Sequence, residues 1–301
     1  MFSCVSLTAT RTTGVPDVSI VPDTVNEQLS TTTGDSQLAT HAALWLIISV
    51  LILPIALAAV YSTQTTNAVY QITNVFPGGS LVENYTTVLF EYNFGQYMWN
   101  SFVMAVVVIV GKLVFSLLAA TALVYYDFRF QSLIFYTILF TLLMPLPVRI
   151  VPLYQLMADI GWLNSFAGLT SPFIASATAV FLFRQQFRSI PASVVETAKL
   201  DGIGPIQFLI NVLIPMSKGM IAGVTAIMFI STWNAYLWPL VAIIDRTNQV
   251  AQVGLRYIQG TGAEGFVQWN LVMAAGILVL IPPLIVLLVA RRYLLSTLGG
   301  G

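Results

Sequence analysis

Charge is what this chain most lacks: Asp, Glu, Lys and Arg together make up 8% of its 301 residues, against 57% hydrophobic residues. Soluble domains carry about 25% charged residues, so a mean hydropathy of +0.85 points to lipid as the main solvent. Acids and bases balance to zero net charge, which removes the electrostatic case for a nucleic-acid partner. The one cysteine, Cys4, lies in a polar stretch and excludes both a disulfide within the chain and a cysteine metal centre. The one histidine, His41, opens the first apolar run and reads as an interfacial residue. No metal-ligand spacing and no nucleophile–base arrangement occurs, so neither metal nor catalytic residues are assigned. The phosphate-loop pattern Gly-x-x-x-x-Gly-Lys-Ser/Thr is missing as well. The Gly111-Lys112 pair is followed by leucine inside an apolar run, so hydrolysis of ATP and a bound cofactor are not expected of this chain.

What is present is apolar length. Runs at about 42–62, 98–125, 132–153, 165–184, 219–243 and 269–290 each approach or exceed the roughly 20 residues that cross a bilayer core. The pattern predicts an all-α polytopic membrane protein with six transmembrane helices over residues 41–296. Prolines interrupt the third and fourth runs (Pro145, Pro147, Pro172) and the sixth (Pro282-Pro283), which lipid tolerates only inside a packed bundle. Residues 1–40 are rich in Thr, Ser, Asp and Val and read as a disordered polar tail rather than a signal peptide. Residues 297–301 form a short C-terminal tail.

Basic residues set the expected orientation. With both termini in the cytoplasm, the inner segments hold Arg11, Arg129, Arg184, Arg188, Lys199, Lys218, Arg291 and Arg292; the outer loops hold only Arg149, Arg246 and Arg256. Trp99, Trp238 and Trp269 fall near outer span ends, at headgroup level. Membrane lipid and a multi-pass cell-membrane location follow from this topology.

One inner segment, SVVETAKLDGIGPIQFLINVLIP at 193–215, is punctuated like a helical hairpin. Ser193 and Glu196 fit a capping box. Gly202 suits the left-handed position past a helix end, and Pro205 suits the first position of the next helix. Pro215 is expected to stop that helix, and Ile206, Leu209, Ile210 and Leu213 to form its apolar face. Glu196 and Asp201 offset Lys199, which weakens attraction to anionic lipid and favours a groove on a soluble partner.

Glu196-Thr197-Ala198, then Gly202, then Val212-x-Ile214-Pro215 resembles the EAA loop of membrane subunits of binding-protein-dependent ABC importers. The family pattern is Glu-Ala-Ala, three residues, Gly, nine residues, Ile-x-Leu-Pro. Thr197, Val212 and Ile214 are mild departures that keep both spacings. NSFVMA at 100–105, PLYQLMADIGWLNSFAGL at 152–169, FRQQFRSIP at 183–191 and WNAYLWPL at 233–240 extend the likeness to the carbohydrate-type second permeases. The resemblance implies a homologous second permease, a dimer of ABC ATPase subunits that use ATP, and an extracytoplasmic solute-binding protein. In the family the hairpin, including Asp201, docks into the ATPase, and the binding protein meets outer loops, here near 63–97 and 245–268.

Within that family the likeness is to the branch carrying sn-glycerol-3-phosphate or a related glycerophosphodiester. A permease for a neutral sugar such as maltose or trehalose is the alternative, and a membrane scaffold without ATPase a more distant one. Lys112, near mid-span at a cost of about 2.5–3.5 kcal/mol, is expected either to stabilise an anionic substrate or to pair with the partner permease. Arg149 is read as lining an outer entry or anchoring a helix end. Asn234 is read as a pathway group or a cross-helix hydrogen bond.

Overall fold

The fold is taken from a computed structural model that describes residues 23–71, 74–260 and 266–298. Among the described residues all regular structure is helical. Helix α1, Asp23–Tyr61, contains the apolar stretch Gln37–Tyr61 and tolerates Pro54 in its interior. It begins well before residue 40, so the expected irregular tail is shortened, and Arg11 lies outside the described residues. The sequence has no proline between Asp23 and Pro54, and a helix nucleated by the apolar span extends at little cost per residue. The described residues fall into two compact units, divided after Ile55.

The second unit is organised around α2, Phe94–Tyr125. The later elements are α3 (Gln131–Phe140), α4 (Leu146–Asp159), α5 (Ala177–Arg188), α6 (Ala192–Leu200) and α7 (Pro205–Met216). After them come α8 (Lys218–Trp233), α9 (Leu237–Ala242), α10 (Ala251–Gly260) and α11 (Trp269–Leu298). Small residues of α2, Ala105 and Ala120, join Phe183, Val224, Met228 and Ala275 in one buried core. Gly254 brings α10 onto α2: a Cβ there would sit 2.2 Å from Tyr97 Cδ2.

Three described helices are long and apolar enough to cross a membrane, or up to six if each bent pair is one span. The expected third span is two helices bent by 102°, because Pro145 caps α4 with extended backbone and Pro147 follows in its first turn. The fourth is bent by 41° around Ile174–Ser176. The expected fifth, 219–243, breaks after Trp233 and resumes at Leu237. The sixth is not interrupted: α11 runs straight through Pro282 and Pro283.

Two tryptophans account for how lipid tolerates two of these prolines. A proline lacks the N–H that would serve the carbonyl four residues earlier. Pro283 therefore orphans Val279, and the buried Trp233 indole N–H donates to the Val279 carbonyl at 3.0 Å. Pro172 orphans Gly168, and the Trp238 indole donates to the Gly168 carbonyl at 3.1 Å. Trp238 is 1% exposed, so its expected place at the headgroups is wrong; a buried carbonyl claims it instead. Trp99 is exposed, in keeping with an interfacial ring.

At one end of the bundle, buried amides tie the loop after α1 to the start of α11. Asn84 Nδ2 donates to the Ser62 and Gln64 carbonyls at 2.9 and 2.8 Å, and Asn270 Nδ2 donates to Asn84 Oδ1 at 2.9 Å. Gln64 Nε2 in turn donates to the Asn74 and Phe76 carbonyls.

Trp238→Phe keeps most of the apolar area but leaves the Gly168 carbonyl unpaired. It is expected to destabilise by about 1–3 kcal/mol, read as a lower thermal midpoint in detergent. Trp238→Ala adds a cavity and is expected to cost about 3–5 kcal/mol.

Candidate functional site

The hairpin forms as its glycine and second proline predict. Helix α6 ends at Leu200 with Asp201 as its cap, and Gly202 follows at φ +67°. Gly202 N–H donates to the Lys199 carbonyl and Ile203 N–H to the Ala198 carbonyl, both at 3.1 Å. This paired arrangement closes the helix end and needs a left-handed residue at its centre. Gly204 caps the second arm, with Pro205 as its first residue.

Three expectations for this segment need correction. Ser193 caps nothing: α6 starts at Ala192 after Pro191, whose fixed φ and extended ψ end the preceding chain two residues early. Pro215 lies inside the arm rather than beyond it: the helix runs one residue further, to Met216, with Ser217 as its cap before an 85° bend into α8. The buried face is Phe208, Leu209 and Leu213, while Ile206 and Ile210 stand 57% and 55% exposed. A π-helical stretch at Leu209–Leu213 widens the turn and rotates the face away from ordinary helical spacing.

The hairpin is fastened to the bundle by rings. Phe208 meets Tyr125, the last residue of α2, edge-on at 5.2 Å, and Tyr125 also lies beside Phe187 of α5. The Tyr125 hydroxyl donates to the Phe187 carbonyl at 2.7 Å, using an acceptor at the end of α5. Ala198 is buried and Val212 and Ile214 are half-buried, so these motif positions pack inward. Glu196, Thr197, Asp201, Gly202 and Pro215 face solvent beside the exposed Leu200. The result is a rigidly seated hairpin with a mixed charged and apolar outer face.

The second feature is a cavity of about 490 Å3 where α2 meets the break between α8 and α9. Lys112, Phe173, Ser231, Asn234, Tyr236 and Trp238 contribute to its wall. Gly111 lets α2 press on the turn after Phe173; a Cβ there would lie 2.8 Å from Ile174 Cβ. Lys112 is half-buried and, among the described residues, has neither a hydrogen bond nor an ion pair. Asn234 Oδ1 accepts from Gln252 Nε2 at 2.9 Å, which is the cross-helix bond that its polarity suggested. Thr232 Oγ1, also on the wall, is buried without a hydrogen-bond partner.

The structure thus brings Lys112 and Asn234 together and leaves Arg149 exposed and off the cavity wall. The second cation near the cavity is Arg256, whose Nη1 donates to the Tyr236 hydroxyl at 3.2 Å. Gln252 and Arg256, one helical turn apart on α10, mark a polar face that the sequence carried and its reading passed over. Among the described residues no group of three or more His, Cys, Asp or Glu could hold a metal ion.

An all-helical chain with apolar bent helices, a seated hairpin and a cation-bearing internal cavity defines a polytopic membrane transport subunit. The family profile described as "Binding-protein-dependent transport system inner membrane component" matches residues 112–298, and the chain belongs to this family. It is similar to the sn-glycerol-3-phosphate transport system permease protein UgpE of Salmonella typhi, at 41% identity over 84% of this chain and 92% of that one. The protein of the same name from Brucella melitensis is 38% identical, over 87% and 96%. Among solved structures, a bacterial ABC transporter involved in import of the acidic polysaccharide alginate matches with TM-score 0.78 at 26% identity, covering 87% of this chain and 97% of that one.

Gly202→Val places a β-branched side chain at φ +67°, a conformation costing roughly 1–2 kcal/mol or more. Faster amide exchange across 196–215 than in wild type is expected, with α2 and α11 unchanged.

Proposed function

We propose that this chain is the permease subunit through which an ATP-driven importer carries sn-glycerol-3-phosphate or a related glycerophosphodiester across the cell membrane. The observation that carries the reading is Lys112, an ammonium without a protein partner among the described residues, on the wall of the cavity at the broken helix. A phosphate ester supplies the missing counter-charge, and a partly desolvated site strengthens that pairing. The names of the relatives support the same substrate class. Arg256, held by Tyr236 at the cavity wall, adds a second positive charge along the path.

The rest of the machine follows from the family and the hairpin. The residues Glu196, Thr197, Ala198, Asp201, Gly202, Val212, Ile214 and Pro215 form the coupling element that an ABC ATPase dimer grips from the cytoplasm. Both termini lie on that same side. A homologous second permease completes the bundle, and a solute-binding protein delivers substrate to the opposite face. Nucleotide binding closes the ATPases, the ring-fastened hairpin passes that motion to α2 and α5, and the cavity changes the side to which it opens. ATP is consumed by those partner subunits; this chain supplies the path.

Uptake of labelled glycerol-3-phosphate by cells with and without the gene, with excess maltose present, tests the reading. Gene-dependent uptake that maltose leaves unchanged is expected. Loss of uptake under maltose would transfer the path to neutral sugars. Lys112→Met is expected to lower uptake about tenfold, from loss of a charge-assisted bond, with complex assembly intact. Unchanged uptake in that variant would remove Lys112 from the path.

A further inference from the structure

A separate cavity of about 230 Å3 opens where the end of α2 meets the start of α3 and the end of α5. Gln131, Ser132, Phe135 and Tyr136 line it together with Arg184 and Arg188. The two arginines are one helical turn apart, so both side chains leave α5 on the same face. No carboxylate lines the cavity, and among the described residues neither arginine has an ion pair. The Arg184 guanidinium lies over the Phe135 ring at 4.0 Å, and its Nε is buried without a hydrogen-bond partner.

Two like charges sharing one cavity repel each other, and burial strips the Arg184 Nε of hydration, so the arrangement calls for an anion. Planar guanidinium forks match phosphate oxygens, and the Ser132 hydroxyl with the N-terminus of the ten-residue α3 adds donors of the same sense. The flank indicates what carries the phosphate. Phe130, Leu133, Tyr136 and Phe140 stand 60–66% exposed alongside the cavity, a surface suited to acyl chains.

We infer that this cavity binds the phosphodiester headgroup of an anionic phospholipid, whose chains lie along the exposed face of α3. The bound lipid neutralises Arg184 and Arg188 and braces the junction of α2, α3 and α5 close to the hairpin. This assignment is independent of which substrate the permease carries. A soluble phosphate offers the same oxygens without the chains, and the experiment separates the two sources.

The assembled importer, purified in detergent and stripped of lipid, is titrated with phosphatidylglycerol and examined by native mass spectrometry. Phosphatidylcholine serves as the zwitterionic control, and inorganic phosphate and glycerol-3-phosphate as soluble competitors. Retention of phosphatidylglycerol over phosphatidylcholine is expected, weakened about fivefold for each arginine removed in R184Q and R184Q/R188Q. S132E, at an exposed position, places a carboxylate in the cavity and is expected to weaken retention even if the arginine variants assemble poorly. Equal retention of both lipids, or retention untouched by S132E and the arginine variants, would overturn the assignment. Displacement of the lipid by inorganic phosphate or glycerol-3-phosphate would also overturn it, in favour of a soluble-phosphate site.

Discussion

Lipid offers a backbone carbonyl no donor, so every break in a membrane helix must be repaired by the protein itself. That constraint shapes this molecule at point after point. Trp233 and Trp238 supply the N–H groups that Pro283 and Pro172 lack. Gln249, almost fully buried, donates to the Ile243 carbonyl at 2.6 Å where α9 ends. Asn164 Oδ1 accepts the Ile244 and Asp245 N–H groups just beyond. Ser116 of α2 reaches the Ser176 carbonyl at the break before α5. Helices broken in this way are pinned in place, because each repair fastens one element to another.

The repairs explain where the cavity lies. Both repairing tryptophans flank the break at Asn234–Tyr236, and their indoles tie its two sides to the Val279 and Gly168 carbonyls. Polar groups that a continuous span would exclude then become affordable: Asn234, Tyr236 and, across from them, Lys112. At the far end, Tyr125 joins the ends of α2 and α5 to Phe208 of the hairpin. The hairpin is thereby in direct ring contact with α2, the helix that bears Lys112.

Local backbone chemistry made part of this legible in the sequence. Gly202 and Pro205 have roles set by their own φ preferences, and the structure realises both. Apolar length likewise gave the helical class. What eluded sequence reading depends on partners distant along the chain. Trp238 reads as interfacial until Gly168, 70 residues away, claims its N–H. Arg149 reads either as lining an outer entry or as anchoring a helix end, and it stands exposed off the cavity wall. Arg256, which the sequence did not single out, is linked to that wall by way of Tyr236. Ile206 and Ile210 were placed inward by a 3.6-residue period that the π-helical turn at Leu209–Leu213 does not obey. Ser193 looked like a cap because its spacing to Glu196 fits one, whereas Pro191 had already begun the helix.

The most direct measurement concerns the cavity's exposure. Cys4→Ser removes the sole cysteine, and Ser231→Cys then places one thiol on the cavity wall. The assembled importer is labelled with a membrane-impermeant maleimide from each side, with and without nucleotide trapped in the ATPases. The expected result is labelling from the cytoplasmic side without nucleotide and from the opposite side when nucleotide is trapped, slowed by glycerol-3-phosphate. Labelling from one side only, unchanged by nucleotide and by substrate, would contradict the cavity as the transport path.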